Sequence, residues 1–94
     1  MTATTEPNPA VTSVREGLLM MYTTVWCGYC RRLKAQMDRA GIGYVEVDIE
    51  QDPAAAEYVR EVNAGNQTVP TLVLPDGRAL TNPSLAQLQA ALGG

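Results

Sequence analysis

The sequence predicts an α/β fold, a four-stranded mixed sheet flanked by three helices, and three observations carry that prediction. Short apolar runs alternate with stretches of helical periodicity in the order strand, helix, strand, helix, strand, strand, helix. The first two strands are joined through a helix, which makes them parallel with a right-handed crossover. The last two are separated only by Pro75-Asp76-Gly77, a tight turn that pairs them as an antiparallel hairpin.

Each element has its own local reason. Residues 1–16 are rich in Thr, Pro, Glu and Asn and have no periodic face, so they read as a flexible tail ahead of one domain over 17–94. Leu18 to Thr23 is a short apolar run bounded by Gly17, the pattern of a strand buried on both faces. From Tyr29 to Ala40, Cys30, Leu33, Met37 and Ala40 recur at steps of three and four, and Gly41 can end that helix. This spacing turns Cys30 toward the core and Cys27 toward solvent. Gly43 to Ile49 alternates, with Val45, Val47 and Ile49 on one side, as a half-exposed edge strand does. Asp52-Pro53 has the chemistry of an N-cap and first helical residue; Tyr58, Val59 and Val62 supply the apolar face of the helix that runs to Val62. Thr71 to Leu74 and Arg78 to Leu80 form the hairpin. Asn82-Pro83 repeats the cap signal, and Leu85, Leu88 and Leu92 sit at helical spacing behind it.

Ninety-four residues with 46% apolar content make one domain with one core. The net charge of −3 argues against a nucleic-acid surface, which needs clustered Lys and Arg. Four of the seven basic residues do cluster, as Arg31, Arg32, Lys34 and Arg39, either as a solvated helix face or as a local positive field beside the cysteines. Residues 1–16 lack the apolar and positive regions of a secretory signal, and no stretch reaches membrane-spanning length, so the expectation is a cytoplasmic protein with no membrane partner.

Both cysteines lie in Trp26-Cys27-Gly28-Tyr29-Cys30, at the junction of the first strand and first helix. The count argues against zinc within one chain, because a structural site needs about four N or S ligands and the chain has two cysteines and no histidine. A disulfide across so short a loop removes little unfolded-state entropy and makes a poor staple. Two buried, inert thiols are the third bland reading, set against a turn crowded by Trp26, Gly28 and Tyr29. Redox chemistry has a positive reason: unsatisfied N–H groups and the dipole at a helix N-terminus favour an anion, and the thiolate is the form that attacks. Cys27 is the candidate nucleophile and Cys30 its resolving partner.

Cys27-Gly28-Tyr29-Cys30 after strand one, Thr68-Val69-Pro70 before strand three and the compact size together resemble the thioredoxin superfamily, and within it the glutaredoxins. The resemblance covers Gly17 to Leu92 and implies the thioredoxin/glutaredoxin fold. It implies a cis proline at Pro70 packed beside the nucleophile, and backbone groups offered to substrate by Val69. Glutathione-specific members carry a Lys three residues before the nucleophile, a Pro after it, and a Gly-Gly pair with an acidic residue at the last helix. This chain has Thr24, Gly28 and Thr81-Asn82-Pro83-Ser84 there. With Thr23-Thr24, Val47-Asp48-Ile49-Glu50 and Asn66 to Thr71, that pattern is similar to the mycoredoxins, which use mycothiol, an acetylated cysteine on a glucosamine-inositol, as their small thiol.

The resemblance implies a monomeric enzyme that reduces mixed disulfides between proteins and mycothiol, with mycothiol as reducing co-substrate and no tightly bound cofactor or metal. Tyr29 would flank the bound thiol or stand as a surface aromatic; Trp26 would wall off the sulfurs or merely pack. Thr81, Asn82 and Ser84 would contact the sugar, cap the last helix, or both. The competing functions are a thioredoxin-like dithiol reductase, an iron-sulfur carrier bridging a cluster between two copies, and a purely structural module.

Overall fold

The computed structural model describes residues 18–93, so the tail expected at 1–16 lies outside the described residues. Among these, the elements follow the predicted order: β1 (Met20–Thr23), α1 (Gly28–Ala40), β2 (Val45–Asp48), α2 (Pro53–Val62), β3 (Thr71–Val73), β4 (Ala79–Thr81) and α3 (Leu85–Gly93). They build one four-stranded sheet in the order β2-β1-β3-β4. β1 and β2 run parallel with Met20 opposite Val45, β3 runs antiparallel to β1 with Tyr22 opposite Thr71, and β4 closes the hairpin with Thr71 opposite Thr81.

Every residue of β1 and β3 is buried, as expected of central strands covered on both sides. On one side Met21 and Leu72 pack with Leu33 and Met37 of α1 and Leu88 of α3. On the other, Met20, Tyr22 and Val73 pack with Ala55, Ala56 and Val59 of α2. β2 is the edge strand that its alternation predicts: Val45, Val47 and Ile49 join the α2 side, while Glu46 is exposed on the opposite face.

The helix ends follow local chemistry. Gly41 takes φ 75° and its N–H, with that of Ile42, returns to the carbonyls of Asp38 and Met37, which ends α1 in a left-handed cap. Asp52 accepts the Ala55 N–H at 3.1 Å and Pro53 opens α2, as read from the sequence.

Three expectations change. The buried stripe of α2 is Ala55, Ala56 and Val59, with Tyr58 half-buried against Tyr22 and Val62 exposed. Two small alanines let the first half of the helix approach the sheet, leaving Val62 in a last turn beyond it. β4 begins at Ala79 because Arg78 serves the turn: its N–H reaches the Asp76 carboxylate and its carbonyl accepts the Leu74 N–H at 2.8 Å. The cap of α3 is Ser84, whose hydroxyl accepts the Gln87 N–H at 3.0 Å while Gln87 Oε1 accepts the Ser84 N–H at 2.8 Å, a reciprocal capping box. Asn82 lies outside it at φ 47°.

Candidate active site

β1 ends at Thr23, and Thr24 to Trp26 turn the chain so that α1 starts at once, with Cys27 as its N-cap in extended backbone geometry. The Cys27 N–H reaches the Thr24 carbonyl at 3.3 Å, and its Sγ accepts the Cys30 N–H at 3.0 Å. A sulfur thus occupies the place that a Ser or Asp oxygen takes in an ordinary N-cap, against the positive end of the helix. The Cys27 thiol also points at the Val69 carbonyl, 3.9 Å away.

Cys27 is 4% exposed and Cys30 1%, which corrects the expectation that Cys27 faces solvent and that the crowded turn leaves the pair unburied. The reason is the cap itself: accepting the Cys30 N–H folds the Cys27 side chain back over the first turn, under the Val69 loop. Solvent is met instead by Val25, Trp26 and Tyr29, each well over half exposed. Trp26 does not pack into the core; its Nε1 donates to Glu50 Oε2 at 2.9 Å, holding the indole toward the segment after β2.

Both cysteines are free thiols, and their surroundings divide them chemically. Burial first, then the hydrogen bond with Cys27, push the Cys30 thiol up to about 12, while a backbone hydrogen bond from Thr24 and the Lys34 charge pull the other way. Cys30 therefore keeps its proton near neutral pH. Lys34 is held by Glu46, which it meets at 2.9 Å and which also accepts the Thr23 hydroxyl at 2.7 Å. Of the other clustered cations, Arg31 donates to the Val25 carbonyl and Arg32 lies over the Tyr29 ring with 6.0 Å to its centroid.

The Val69–Pro70 peptide is cis, the geometry the sequence resemblance implied for Pro70; Val69 packs against the core cluster that holds both cysteines, with its carbonyl turned to Cys27. The structure also brings Tyr29, Asn82 and Ser84 together along a cavity of about 370 Å³ between α1 and the start of α3. Thr81 is not among its lining residues; its hydroxyl donates to Asn63 Oδ1 at 2.6 Å. Arg32, read from the sequence only as part of the basic cluster, and Gln36, which sequence reading missed, line the same cavity from α1. Their signal was present in their spacing, since positions 29, 32 and 36 share one helix face. Asn63, the residue after Val62, has no part in the site as read from the sequence.

This arrangement suits thiol–disulfide exchange, with one sulfur at a helix N-terminus, a protonated thiol behind it and a backbone carbonyl alongside. Among the described residues no cluster of side chains could hold a metal ion, and no helix is long and apolar enough to cross a membrane. The family model for glutaredoxin matches residues 19–79. Rv3198A of Mycobacterium tuberculosis, assigned by name to the glutaredoxins, is 55% identical over 74 residues, covering 79% of this chain and 88% of that protein. Mycoredoxin 1 of Corynebacterium glutamicum is 43% identical over 72 residues, covering 77% and 89%. The crystal structure of glutaredoxin grx-1 from Archaeoglobus fulgidus superposes with a TM-score of 0.71 at 20% identity, over 98% of this chain and all of that one, which is a likeness of fold. The thiol pair at the end of a parallel strand, the cis Val69–Pro70 peptide whose Val69 carbonyl faces Cys27 and these sequence relationships make the chain a member of the glutaredoxin family, a thiol–disulfide oxidoreductase related to mycoredoxin 1.

Proposed function

We propose that the protein reduces mixed disulfides between mycothiol and protein cysteines in the cytoplasm, acting as a monomer. The Cys27 thiolate attacks the mycothiol sulfur, the S–S bond breaks, and the target protein leaves as a thiolate that takes up a proton. Mycothiol is then disulfide-bonded to Cys27. A second mycothiol thiolate attacks that bond and releases mycothiol disulfide, restoring Cys27; attack by Cys30 instead would release mycothiol and leave the Cys27–Cys30 disulfide. Because Cys30 is held protonated, the route through the second mycothiol is favoured at neutral pH.

The observation that carries the choice of thiol is the cavity beside Tyr29. It offers Asn82, Ser84, Gln36 and Gln87, neutral amides and a hydroxyl, with Arg32 its single charged group and no carboxylate. Glutathione brings a free amino group and carboxylates, for which an acidic clamp and a lysine are the complement; Thr24 and the 81–84 segment provide neither. A sugar rich in hydroxyls matches amides that both donate and accept. The relationship to mycoredoxin 1 points the same way.

The test is to offer one cysteine peptide as its mycothiol and as its glutathione mixed disulfide and to follow peptide-thiol release. The expected result is a kcat/KM at least about ten-fold higher for the mycothiol form, the size of difference that a few matched polar contacts give. Cys27→Ser should abolish turnover and Cys30→Ser should keep it. Equal rates for the two thiols would discard mycothiol as the preferred partner; loss of turnover in Cys30→Ser would favour a dithiol reductase.

A further inference from the structure

The substrate site has two walls that belong to no regular element: residues 66–70, which carry the Val69 carbonyl beside Cys27, and residues 82–84, which border the cavity. One backbone bond ties them directly, from the Asn82 N–H to the Pro70 carbonyl at 2.8 Å. Beyond the contacts each wall makes with its own neighbour, Cys27 for Val69 and Gln87 for Ser84, a further set of bonds meets at one half-buried residue, Asn63, at the C-terminal end of α2.

Its amide orientation is dictated by its partners. Asn63 sits 2.8 Å from the Val59 carbonyl, which can only accept, so the nitrogen must lie on that side. The same nitrogen donates to Thr71 Oγ1 at 3.1 Å, and Thr71 passes its own hydrogen to the Thr68 carbonyl at 2.7 Å, inside the loop. Asn63 Oδ1 accepts from the Thr81 hydroxyl at 2.6 Å, one residue ahead of the second wall. Its backbone carbonyl takes both the N–H and the side-chain amide of Asn66, at the start of the loop. Two donors and one acceptor position of one amide therefore join α2, β3 and β4, and each bond has a single permitted direction.

We infer that Asn63 is a positioning residue for the reaction: through the Thr71–Thr68 relay and through Thr81 it sets the two walls against each other before substrate arrives. Asn63 touches neither sulfur nor substrate. Losing it leaves the Cys27 cap intact, because that cap is made within α1. What is lost is preorganisation of the docking surface, which substrate must then restore as it binds. The inference rests on Cys27 turning over mixed disulfides, as proposed above, and not on which small thiol it prefers.

The experiment compares wild type, Asn63→Ala, Thr71→Val and the double variant on one peptide carrying either mycothiol or N-acetylcysteine as its mixed disulfide. Thr71→Val keeps the branched shape of a buried strand residue and cuts the relay from its other end, so it serves even if Asn63→Ala folds poorly. Each single variant should raise KM about 3- to 10-fold, the loss of a hydrogen bond or two, with kcat within about two-fold. The double variant should be no worse than about two-fold beyond the poorer single, because the two residues act in one chain. A KM unchanged with a lower kcat in both single variants, the sign of a smaller active fraction, overturns the inference, as do KM effects that multiply in the double variant. Failure of mycothiol preference would show differently, as a wild type that does not distinguish the two substrates.

Discussion

Cys27 and Cys30 are three positions apart in sequence, and their difference comes from direction alone. Cys27 caps the helix and takes the Cys30 N–H; Cys30 sits one turn in, among Leu33, Met37 and the sheet. A thiol is neutral when protonated, so burial retains the proton of Cys30 and raises it from its ordinary 9.0 to about 12. With the folded value above the unfolded one, the stabilisation is fully present below about pH 9 and is lost as pH rises toward 12. Tyr44 and Tyr58, raised by burial, and Lys34, raised by its bond to Glu46, contribute in the same sense. Denaturant midpoints of the reduced protein should accordingly hold level to about pH 9 and then fall, and Cys30→Ser should show a shallower fall. Parallel curves for the two proteins would mean that Cys30 is not held protonated by the fold.

Among the elements, α2 and α3 show how two similar residue pairs can mean different things. Asp52-Pro53 and Asn82-Pro83 both read as a cap followed by a first helical residue, and only the first is one. At the second, Asn82 takes left-handed backbone, Pro83 is buried, and the helix waits for Ser84 and its partner Gln87. A polar residue with a short side chain tolerates that backbone, which lets Asn82 turn the chain from β4 onto the α1 side of the sheet. Ser84→Ala should therefore cost about 1 kcal/mol of stability, within the range of about 0.5–2 for a lost cap. Asn82→Gly, which keeps the left-handed geometry, should cost less than half of that. Urea unfolding of both variants checks the ranking, and the reverse order would restore Asn82 as the cap.

For the whole molecule, the sheet separates two packed layers. Leu88 belongs to the layer of α1 and α3, Ile49 to that of α2, and the central strands β1 and β3 divide them. Leu88 and Ile49 lie in separate buried clusters, so the effects of substituting them should add. Leu88→Ala should cost about 2–5 kcal/mol and Ile49→Val about 0.5–1.5. The double variant should match their sum within about 0.5 kcal/mol. A larger departure, measured by equilibrium unfolding, would show that strain crosses the sheet. The thiol pair belongs to the α1 layer, packed with Leu33 and Met37, while Val69 borders both layers from the loop. The site is thus assembled where the two halves of the core meet.

Much of this could be read from the chain alone because it is local. Apolar runs, the 3.6-residue spacing of α1, the turn at Pro75-Asp76-Gly77 and the pairing of a Cys-x-x-Cys with Val69-Pro70 are patterns within short windows, and they carried the element order, the sheet and the family. Tertiary structure alone decided how far Cys27 is buried, which residues of α2 face the sheet, that Arg32 and Gln36 share a cavity with Asn82, and that Asn63 joins the loop walls. Those outcomes depend on which segments meet across 18 or more positions, as Asn63 meets Thr81, and on the direction of each hydrogen bond between them. Periodicity within one element contains neither kind of information.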